Sequence, residues 1–548
     1  MTIVKKFIAI TAIVVLGLIL RLIFINKPDG LWNDEYVSWI IAAAPFGNGF
    51  IQAVKSQCHM PFYYLYLKFF MAIFGQSDLV LRLTSVFAGI LSIIAMYFAG
   101  RERNERTGLY CAGFAAVSSF LIYYSQEVRL YQILFFFSAL NLLYTIKCIK
   151  QPVRRNFILY AIFNFLILFT HTIGFVFVFF NLIFLSINLY KQFKKVITAV
   201  WISIFAGGII LSPMIIHILT GRSFSQWWGN FSLSKIGFLF TDYFSPVLTN
   251  LTNAPDNFFY APKLAFFMLV PAIICIFFIY KSLIKNKFNI GLFTVCAATI
   301  LILICAALSG KLVFITKYSI EIYPALIYLV CFGADSIDHK KLRNTLVILY
   351  CLISLGYIAF APYSSPKMHR AEGHKIPADI ITQLNLNKDD IILLEYYSAD
   401  RFYKYIDFSN YRVKEIHKGN FNEYLSKNTT YHEAYRNGKN IYRDIFKYDN
   451  NTYLNNLIKN SITNELKPGQ SVVMIILNSV AFYSPDDIKE IAQNDNLYNE
   501  KPLLFMVFSY IKYKTFTELA KTLAITNVAQ KGNWTLVKFT KLNNNIQK

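Results

Sequence analysis

The first two thirds of the chain consist of long apolar segments separated by short polar loops. A helix needs about 20 apolar residues to cross the hydrocarbon core of a bilayer. The segments that approach this length are roughly 7–25, 79–99, 107–124, 128–148, 157–170, 173–190, 196–219, 263–282, 288–308, 312–333 and 344–361. Only 16% of the 548 residues are charged and 55% are hydrophobic, which is too little charge to cover soluble domains of this total length. We therefore predict an α-helical polytopic membrane protein with about eleven transmembrane helices.

The basic residues between these segments indicate the orientation of the chain, because cytoplasmic loops of membrane proteins are enriched in Lys and Arg. If Lys5 and Lys6 are cytoplasmic, every second loop is basic. These loops contain Arg101, Arg103, Arg106, then Lys147, Lys150, Arg154, Arg155, then Lys191, Lys194, Lys195, then Lys281, Lys285, Lys287, and finally Lys340, Lys341, Arg343. Residues 26–78, about 220–262 and the tail from about 364 are then outside. We expect a multi-pass protein of the bacterial inner (plasma) membrane with a cytoplasmic N-terminus and a periplasmic or extracellular C-terminal domain.

Two apolar stretches do not correspond to one crossing each. Residues 61–75 are almost long enough to span, but they contain Lys68, and counting them would place every later basic loop outside. We interpret them as an interfacial helix. Residues 157–190 are too long for one crossing and too apolar for a loop, so we divide them at His171–Gly174 into two short transmembrane helices.

The tail that follows the last apolar segment is rich in Asn, Lys, Asp and Tyr, and its patterns alternate between helical and strand-like runs. The predicted helices cover 377–386, 399–406 and 486–493, and the predicted strands are Ile391–Leu394, Val472–Ile476 and Trp534–Phe539. We therefore predict two domains, a transmembrane domain over 1–363 and an extracytoplasmic soluble α/β domain over 364–548.

The charge distribution argues against one kind of partner, and the cysteines show no pattern typical of a functional site. The net charge of +23 does not indicate nucleic-acid binding, because Lys and Arg form short clusters between apolar runs instead of one basic face. The eight cysteines all precede residue 360 and show no CxxC or Cys/His spacing. We therefore expect no nucleic-acid partner, and we expect the cysteines to be small buried apolar residues.

Four polar clusters fall at the predicted outer face of the membrane. They are Leu31–Tyr36, Tyr123–Tyr131, His171–Thr172 and Lys317–Glu321. Carboxylates at a membrane face are costly to desolvate unless they bind a cation or a proton donor, so Asp34 and Glu35 are candidates for a functional site. Because they are adjacent, their side chains point in different directions, and they cannot do the same job. The alternative interpretation is a helix N-cap at Asn33 or Asp34.

Each of the other clusters also has an ordinary structural interpretation. Glu127 and Arg129 fit an exposed turn, His171 fits hydrogen-bonded packing, and Lys317 fits a side chain that reaches the membrane interface. Together, however, the clusters supply acids, cations and the imidazoles of His59 and His171 on one face. That set can hold a lipid phosphate and activate a hydroxyl group, with an apolar groove beside it for a polyprenyl tail.

The order of these motifs resembles that of a known family. The chain contains, in order, Asp34-Glu35, His59-Met60-Pro61-Phe62-Tyr63, Arg82-Leu83-Thr84-Ser85, Tyr124 through Tyr131, Thr170-His171, and Lys317-Tyr318 through Pro324. It resembles the GT-C superfamily of polytopic glycosyltransferases, specifically the bacterial relatives of the protein O-mannosyltransferases (glycosyltransferase family 39) and of the aminoarabinose transferase that modifies lipid A. The resemblance covers about residues 1–362 and implies a GT-C type fold.

The resemblance also implies an activity. The enzyme would move a hexose or pentose from a polyprenyl phosphate donor to an extracytoplasmic hydroxyl or amine, on a protein, lipid A or another glycan, with inversion at the anomeric carbon. Asp34 would be the general base. Glu35 and Glu127 would position the site or bind a divalent cation (Mg, Mn or Zn), which three carboxylates permit without requiring.

The remaining implied roles concern the lipid phosphate and the orientation of the substrates. Arg129, Lys317 and Tyr318 would neutralise the departing phosphate. The residues expected to orient the substrates are His59, His171 and Tyr63. The chain departs from the family pattern at Met60, where relatives have a second Pro, and at Lys317, where many have Arg. The second change replaces a bidentate fork by a point charge.

Two other classes of protein share parts of this pattern. A transporter or flippase of lipid-linked sugars would also need polar groups beside a lipid groove. Transporters, however, place ionisable groups near the midplane and show two related halves, and the sequence has neither feature. A membrane-anchored binding protein would have an acid-poor outer face and a ligand motif in its tail. We therefore favour the transferase and keep the flippase as the alternative.

Overall fold

The structure is a computed structural model, and it describes residues 3–23, 25–26, 30–47, 49–51, 54, 60–221, 234–246, 262–309, 314–360, 373, 375–384, 386–395, 404–406, 411–416, 462–477, 516, 519–531 and 534–542. The chain forms two compact units. One, called here the helical unit, comprises Met1–Asn26 and Val37–Met368, and the other, the sheet unit, comprises Lys27–Tyr36 and His369–Lys548. Each unit is described by itself.

Long apolar helices make up most of the first 360 residues. They are α1 (Ile3–Leu22), α2 (Asn33–Ala43), α3 (Phe62–Phe74), α4 (Asp78–Arg101), α5 (Glu105–Val117), α6 (Ser119–Ser125), α7 (Tyr131–Lys150), α8 (Arg154–Thr170), α9 (Gly174–Gly221), α10 (Ser234–Phe244), α11 (Pro262–Lys285), α12 (Lys287–Leu308), α13 (Tyr323–Asp335) and α14 (Lys340–Phe360). Among the described residues, six helices are long and apolar enough to cross a membrane, or seven if the bent pair α5 and α6 is one span. Large apolar side chains are exposed on the outside, such as Ile187 (79%) and Phe205 (73%), which suits a surface that faces lipid.

These helices confirm the predicted membrane-protein class and refine three of the predicted spans. The predicted span 107–124 is bent by 58° between α5 and α6. At the bend, the Ser118 side chain accepts a hydrogen bond from the backbone N–H of Leu121 and so starts a new helix. The predicted spans 173–190 and 196–219 form the long helix α9, which is interrupted by non-helical backbone angles at Phe193.

The predicted continuous span 312–333 is wrong in its first half. A 3₁₀ segment, Thr316–Ile322, precedes α13, and Ser319 within it has non-helical backbone angles (φ −119°, ψ 23°). Pro324 stands in the first turn of α13, where its missing N–H would have no partner in the helix anyway. The polar side chains of the 3₁₀ segment therefore sit on tighter, irregular backbone at the start of a short helix.

A buried arginine stabilises the bend between α5 and α6. Arg21 of α1 is fully buried, and its guanidinium donates to the carbonyl oxygens of Ala115 (3.0 Å) and Ala116 (3.1 Å) at the end of α5. It also donates to the hydroxyl of Ser125 (3.0 Å) and to the carbonyl oxygen of Gly17 (3.0 Å). The last carbonyls of a helix have no partner within it, so Arg21 supplies the donors that the broken ladder lacks.

The sheet unit contains a mixed five-stranded sheet. Its strands are β1 (Ile391–Glu395), β2 (Arg412–Ile416), β3 (Ser471–Leu477), β4 (Ala524–Lys531) and β5 (Trp534–Thr540), in the spatial order β2-β1-β3-β5-β4. Strand β1 pairs parallel with β2 and β3, whereas β5 pairs antiparallel with β3 and β4. The helix α15 (Lys375–Gln383) packs Ile376 and Ile380 against Ile392, Val473 and Leu536 of the sheet.

The predicted α/β character of the tail is confirmed, with differences in detail. All three predicted strands are present, as β1, β3 and β5, and the helix predicted over 377–386 is α15. The described residues of the helix predicted over 399–406, Lys404–Ile406, form a turn instead, and the helix predicted over 486–493 lies outside the described residues. The sequence prediction missed the two edge strands β2 and β4.

Candidate functional site

The turn between α6 and α7 is buried and is held by hydrogen bonds to α4 and to the end of α1. The amide of Gln126 donates to the carbonyl oxygens of Ile23 (2.6 Å) and Arg21 (3.1 Å), beyond and at the end of α1. The hydroxyl of Ser85 on α4 donates to the backbone carbonyl of Glu127 (2.6 Å), and the Glu127 side chain is itself buried. The interpretation of this segment as an exposed turn is therefore wrong, because its polar groups are bonded within the protein.

Two cations from distant parts of the chain meet at one aromatic ring. The guanidinium carbon of Arg129 lies 5.8 Å from the ring centroid of Tyr131, and the Nζ of Lys317 lies 5.4 Å from the same centroid. Lys317 is also 5.7 Å from the ring of Tyr318. The face of an aromatic ring attracts cations, which lets two positive charges lie close together. The structure thus brings together the three predicted phosphate-binding residues, in an arrangement that can bind an anion.

His171 is also part of this cluster. Its ring centroid lies 6.4 Å from that of Tyr131 and 6.1 Å from that of Tyr318. Its Nδ1 lies 2.9 Å from Oε1 of Glu321, and both side chains are almost fully buried. The pairing with Glu321 was not predicted. The signal that could have suggested it is an isolated acid in an apolar late segment, because a buried carboxylate needs a partner.

The helix α10 fixes the 3₁₀ segment that carries Lys317. The hydroxyl of Thr316 donates to the buried carboxylate of Asp242 (2.7 Å). The hydroxyl of Tyr243 lies 3.2 Å from the carbonyl oxygen of Thr316 and 2.8 Å from the Ser319 hydroxyl. Tyr323 stacks on Tyr243 with 4.5 Å between ring centroids and donates to its carbonyl oxygen (2.6 Å). The irregular backbone is therefore held by side-chain hydrogen bonds in place of a helical ladder.

Asp34 and Glu35 lie in the first turn of α2 and belong to the sheet unit. Glu35 is fully buried, and its Oε2 accepts a hydrogen bond from the backbone N–H of Trp32 (3.3 Å), three residues earlier. The backbone N–H of Tyr36 donates to the carbonyl oxygen of Trp32 (2.9 Å), so the helix begins earlier than a cap at Asp34 would require. Glu35 thus closes the first turn as in a capping box, whereas Asp34 is only partly buried.

Of the remaining predicted site residues, the structure describes one, Tyr63. Tyr63 is on α3 and is 1% exposed. On the same helix, the ammonium of Lys68 donates to the carbonyl oxygens of Ala42 (2.8 Å), in the last turn of α2, and Ala44 (2.5 Å), just after it. The partial burial of Lys68 lowers its pKa. This contact explains a lysine within an apolar run. His59 lies outside the described residues.

A metal site is not apparent in the described part of the chain. Divalent cations such as Mg²⁺ and Ca²⁺ need several oxygen ligands together, and Zn²⁺ needs three or four ligands. Within the residues that the structure describes, no three His, Cys, Asp or Glu side chains are grouped so that they could hold a metal ion. The divalent cation at Glu35 and Glu127 stays a prediction.

Comparison with known proteins gives a family match over part of the chain and a fold match over nearly all of it. Residues 58–217 match the family of dolichyl-phosphate-mannose-protein mannosyltransferases. No curated protein sequence matches the chain. Among solved structures, the chain is similar to ArnT from Cupriavidus metallidurans in the apo state, with a TM-score of 0.53, 11% identity and 98% coverage of both chains.

Two further structures are similar to the chain. One is the same ArnT bound to undecaprenyl phosphate, with a TM-score of 0.51, 10% identity and 98% coverage of both chains. The other is the Archaeoglobus fulgidus oligosaccharyltransferase in complex with Zn and sulfate, with a TM-score of 0.41, 13% identity and coverage of 74% of this chain and 62% of that one. The likeness to ArnT extends over nearly the whole length and confirms the expected fold.

Proposed function

We propose that this chain, a multi-pass membrane protein of the GT-C glycosyltransferase superfamily, transfers a sugar from a polyprenyl phosphate carrier to an acceptor hydroxyl or amine outside the cytoplasm. The observation that supports the proposal most directly is the meeting of Arg129 and Lys317 at the ring of Tyr131. It occurs in a chain with the fold of ArnT, a protein whose structure has been solved with undecaprenyl phosphate bound. Paired cations are the usual protein partners of a phosphate group.

The cations would act mainly on the leaving group. When the bond between the anomeric carbon and the phosphate oxygen breaks, negative charge grows on the phosphate, so fixed positive charges stabilise the transition state more than the bound donor. Arg129 can form two parallel hydrogen bonds to phosphate oxygens, whereas Lys317 provides a compact charge. The hydrogen bonds from α10 hold the segment of Lys317 before the donor binds, so little reorganisation is needed.

Asp34 is the proposed general base. It would accept the proton of the acceptor group while the acceptor oxygen or nitrogen attacks the anomeric carbon from the face opposite the phosphate, which inverts that centre. Glu35 cannot share this task, because its carboxylate is buried and bonded to the first turn of α2. We propose that Glu35 positions Asp34 by closing that turn, and that Tyr63 and His59 contact the substrates.

No motif in the sequence identifies the acceptor or the sugar. A protein hydroxyl, lipid A and another glycan all present a hydroxyl or amine to Asp34, and a hexose and a pentose differ by one carbon unit. The experiment should therefore leave both open. We propose an assay with purified protein in lipid nanodiscs and a panel of undecaprenyl phosphate sugars, in which release or transfer of radiolabelled sugar is followed.

The decisive comparison is between wild type and Asp34→Asn. A general base contributes roughly 10²-fold to 10⁴-fold to a rate, so we expect Asp34→Asn to abolish measurable turnover while its melting temperature and its affinity for undecaprenyl phosphate stay unchanged. Asp78→Asn is the matched control, because Asp78 is also an acid in the first turn of a helix. Equal turnover of Asp34→Asn and wild type would refute the assignment of Asp34 as the general base. Movement of intact lipid without any turnover would favour a flippase.

A further inference from the structure

The buried pair of His171 and Glu321 is not explained by the roles described so far. His171 follows the end of α8 and Glu321 lies in the 3₁₀ segment, so 150 residues of chain separate them. The two side chains are 4% and 1% exposed. The second carboxylate oxygen of Glu321, Oε2, is also buried and has no hydrogen-bond partner within the described part of the chain. A buried carboxylate with so little compensation is a poor source of stability and points to another role.

The pair lies beside the two rings that contact Lys317. The ring of His171 borders Tyr131 and Tyr318, at centroid distances of 6.4 and 6.1 Å. The Nζ of Lys317 is 5.4 and 5.7 Å from the same two rings. Nδ1 of His171 is occupied by Glu321, and among the described residues no hydrogen bond is formed by its Nε2. Nε2 is therefore the ring nitrogen that can bind a ligand next to Lys317.

We propose that Glu321 is a positioning residue, which holds His171 so that its Nε2–H donates a hydrogen bond to the phosphate of the polyprenyl carrier. This inference rests on the function proposed above. With Nε2 protonated, the pair is neutral whether the shared proton lies on Nδ1 of His171 or on Oε1 of Glu321. The pair thus adds a directed donor for the phosphate without adding a third net positive charge to the cluster around Tyr131.

The hydrogen bond matters most while the donor reacts. As the bond from the anomeric carbon to the phosphate oxygen breaks, its electron pair stays on the phosphate, and the hydrogen bond from His171 strengthens without proton transfer. A histidine ring has two nitrogens, and the partner of one decides which hydrogen the other carries. Without Glu321, the ring of His171 can present an unprotonated nitrogen, whose lone pair would repel the phosphate oxygens.

A double-mutant cycle tests whether Glu321 acts through His171. The affinity of the protein in lipid nanodiscs for undecaprenyl phosphate is measured for wild type, Glu321→Leu, His171→Phe and the double variant. A hydrogen bond to a charged group is worth roughly a tenfold change in affinity, and we expect each single variant to lose about that much. We expect the double variant to bind as weakly as His171→Phe alone, because Glu321→Leu has nothing left to misplace.

Two further variants separate positioning from folding. Glu321→Gln can still bond to Nδ1 through its amide, so we expect its affinity to lie between those of wild type and Glu321→Leu. Glu105→Leu is the control, because Glu105 also pairs with a basic side chain, Lys6 (3.3 Å), but at the predicted cytoplasmic side. We expect its affinity to equal that of wild type. Melting temperatures identify any variant that fails to fold. If Glu321→Leu does not fold, the affinity of Glu321→Gln tests the inference in its place.

The possible outcomes are distinct. Additive losses of affinity from Glu321→Leu and His171→Phe would overturn the inference, and so would unchanged affinity in His171→Phe. Either result leaves the proposed function intact, provided that Lys317→Ala still weakens the binding of undecaprenyl phosphate. A wild-type protein that does not bind undecaprenyl phosphate would overturn both. In turnover assays, the inference further predicts that Glu321→Leu lowers kcat more than it raises KM, because the hydrogen bond is stronger in the transition state.

Discussion

The proposed function depends most on what a single lysine does. The Nζ of Lys317 lies 5.4 Å from the ring of Tyr131 and 5.7 Å from the ring of Tyr318. Many members of the superfamily that the sequence resembles have an arginine at this position. A lysine offers one compact, strongly hydrated charge, whereas an arginine offers a planar fork. The chain therefore has one bidentate cation, Arg129, and one point charge in the cluster. Two forks are not required to neutralise a single phosphate.

We predict that Lys317→Ala lowers the affinity for undecaprenyl phosphate about tenfold, as expected for the loss of one charged hydrogen bond, and that Lys317→Arg retains it. The measurement is lipid titration of the protein in nanodiscs. Lys281→Ala is the matched control, because Lys281 also has two aromatic neighbours, Phe277 (5.5 Å) and Tyr280 (6.0 Å), but lies at the predicted cytoplasmic end of α11. Equal losses in Lys281→Ala and Lys317→Ala would argue against a phosphate site at Lys317.

At this scale the sequence identified side chains but not their partners. Arg129, Lys317, Tyr318 and His171 could be selected because polar groups are rare at the end of apolar segments. Their meeting at Tyr131 and the bond of His171 to an acid 150 residues away could not be derived, because no local pattern encodes a contact between distant segments. The order of motifs in the superfamily supplied the grouping that hydropathy alone does not.

At the scale of helices and strands, hydropathy predicted where the elements lie but not how they bend. An apolar run of the right length looks the same whether it forms one helix or the pair α5 and α6. The bend depends on Arg21, whose partners Ala115 and Ser125 lie 94 and 104 residues away along the chain, beyond the reach of any local pattern. The edge strands β2 and β4 were missed for a related reason. Their sequences, as in Arg412–Ile416, include charged residues and lack the apolar run that marks the central strands β1 and β3.

The packing of α13 on α11 gives a test at this scale. A Cβ atom added to Gly333 would overlap the backbone carbonyl of Phe278, so the two helices touch at a point where only glycine fits. We predict that Gly333→Ala lowers the stability by about 1–3 kcal/mol, the usual cost of overpacking, which thermal unfolding in detergent would measure. Gly356→Ala is the control, because a Cβ on Gly356 in α14 meets nothing within 4 Å. Equal melting temperatures of the two variants would contradict the close contact.

At the scale of the whole molecule, the orientation in the membrane depends on one short helix. The helix α3, Phe62–Phe74, is apolar but only 13 residues long, which is less than the roughly 20 residues that a crossing requires. If α3 lies in the interface, the loop after α4 is cytoplasmic and the charge distribution follows the positive-inside rule. If α3 crosses, the loop after α4 and every later loop change sides.

Reporter fusions measure directly on which side of the membrane each loop lies. We predict that alkaline phosphatase, which is active only outside the cytoplasm, is active when fused after Lys548 and inactive when fused in the loop at Arg103. A fusion at Gln76, between α3 and α4, is the control that separates the two arrangements, because it should be active only if α3 stays at the outer interface. An inactive fusion at Gln76 with an active one at Arg103 would mean that α3 crosses the membrane. The base Asp34, before α3, would then lie on the side opposite the loop that joins α3 to α4, and the charge-based orientation of every later helix would have to be reversed.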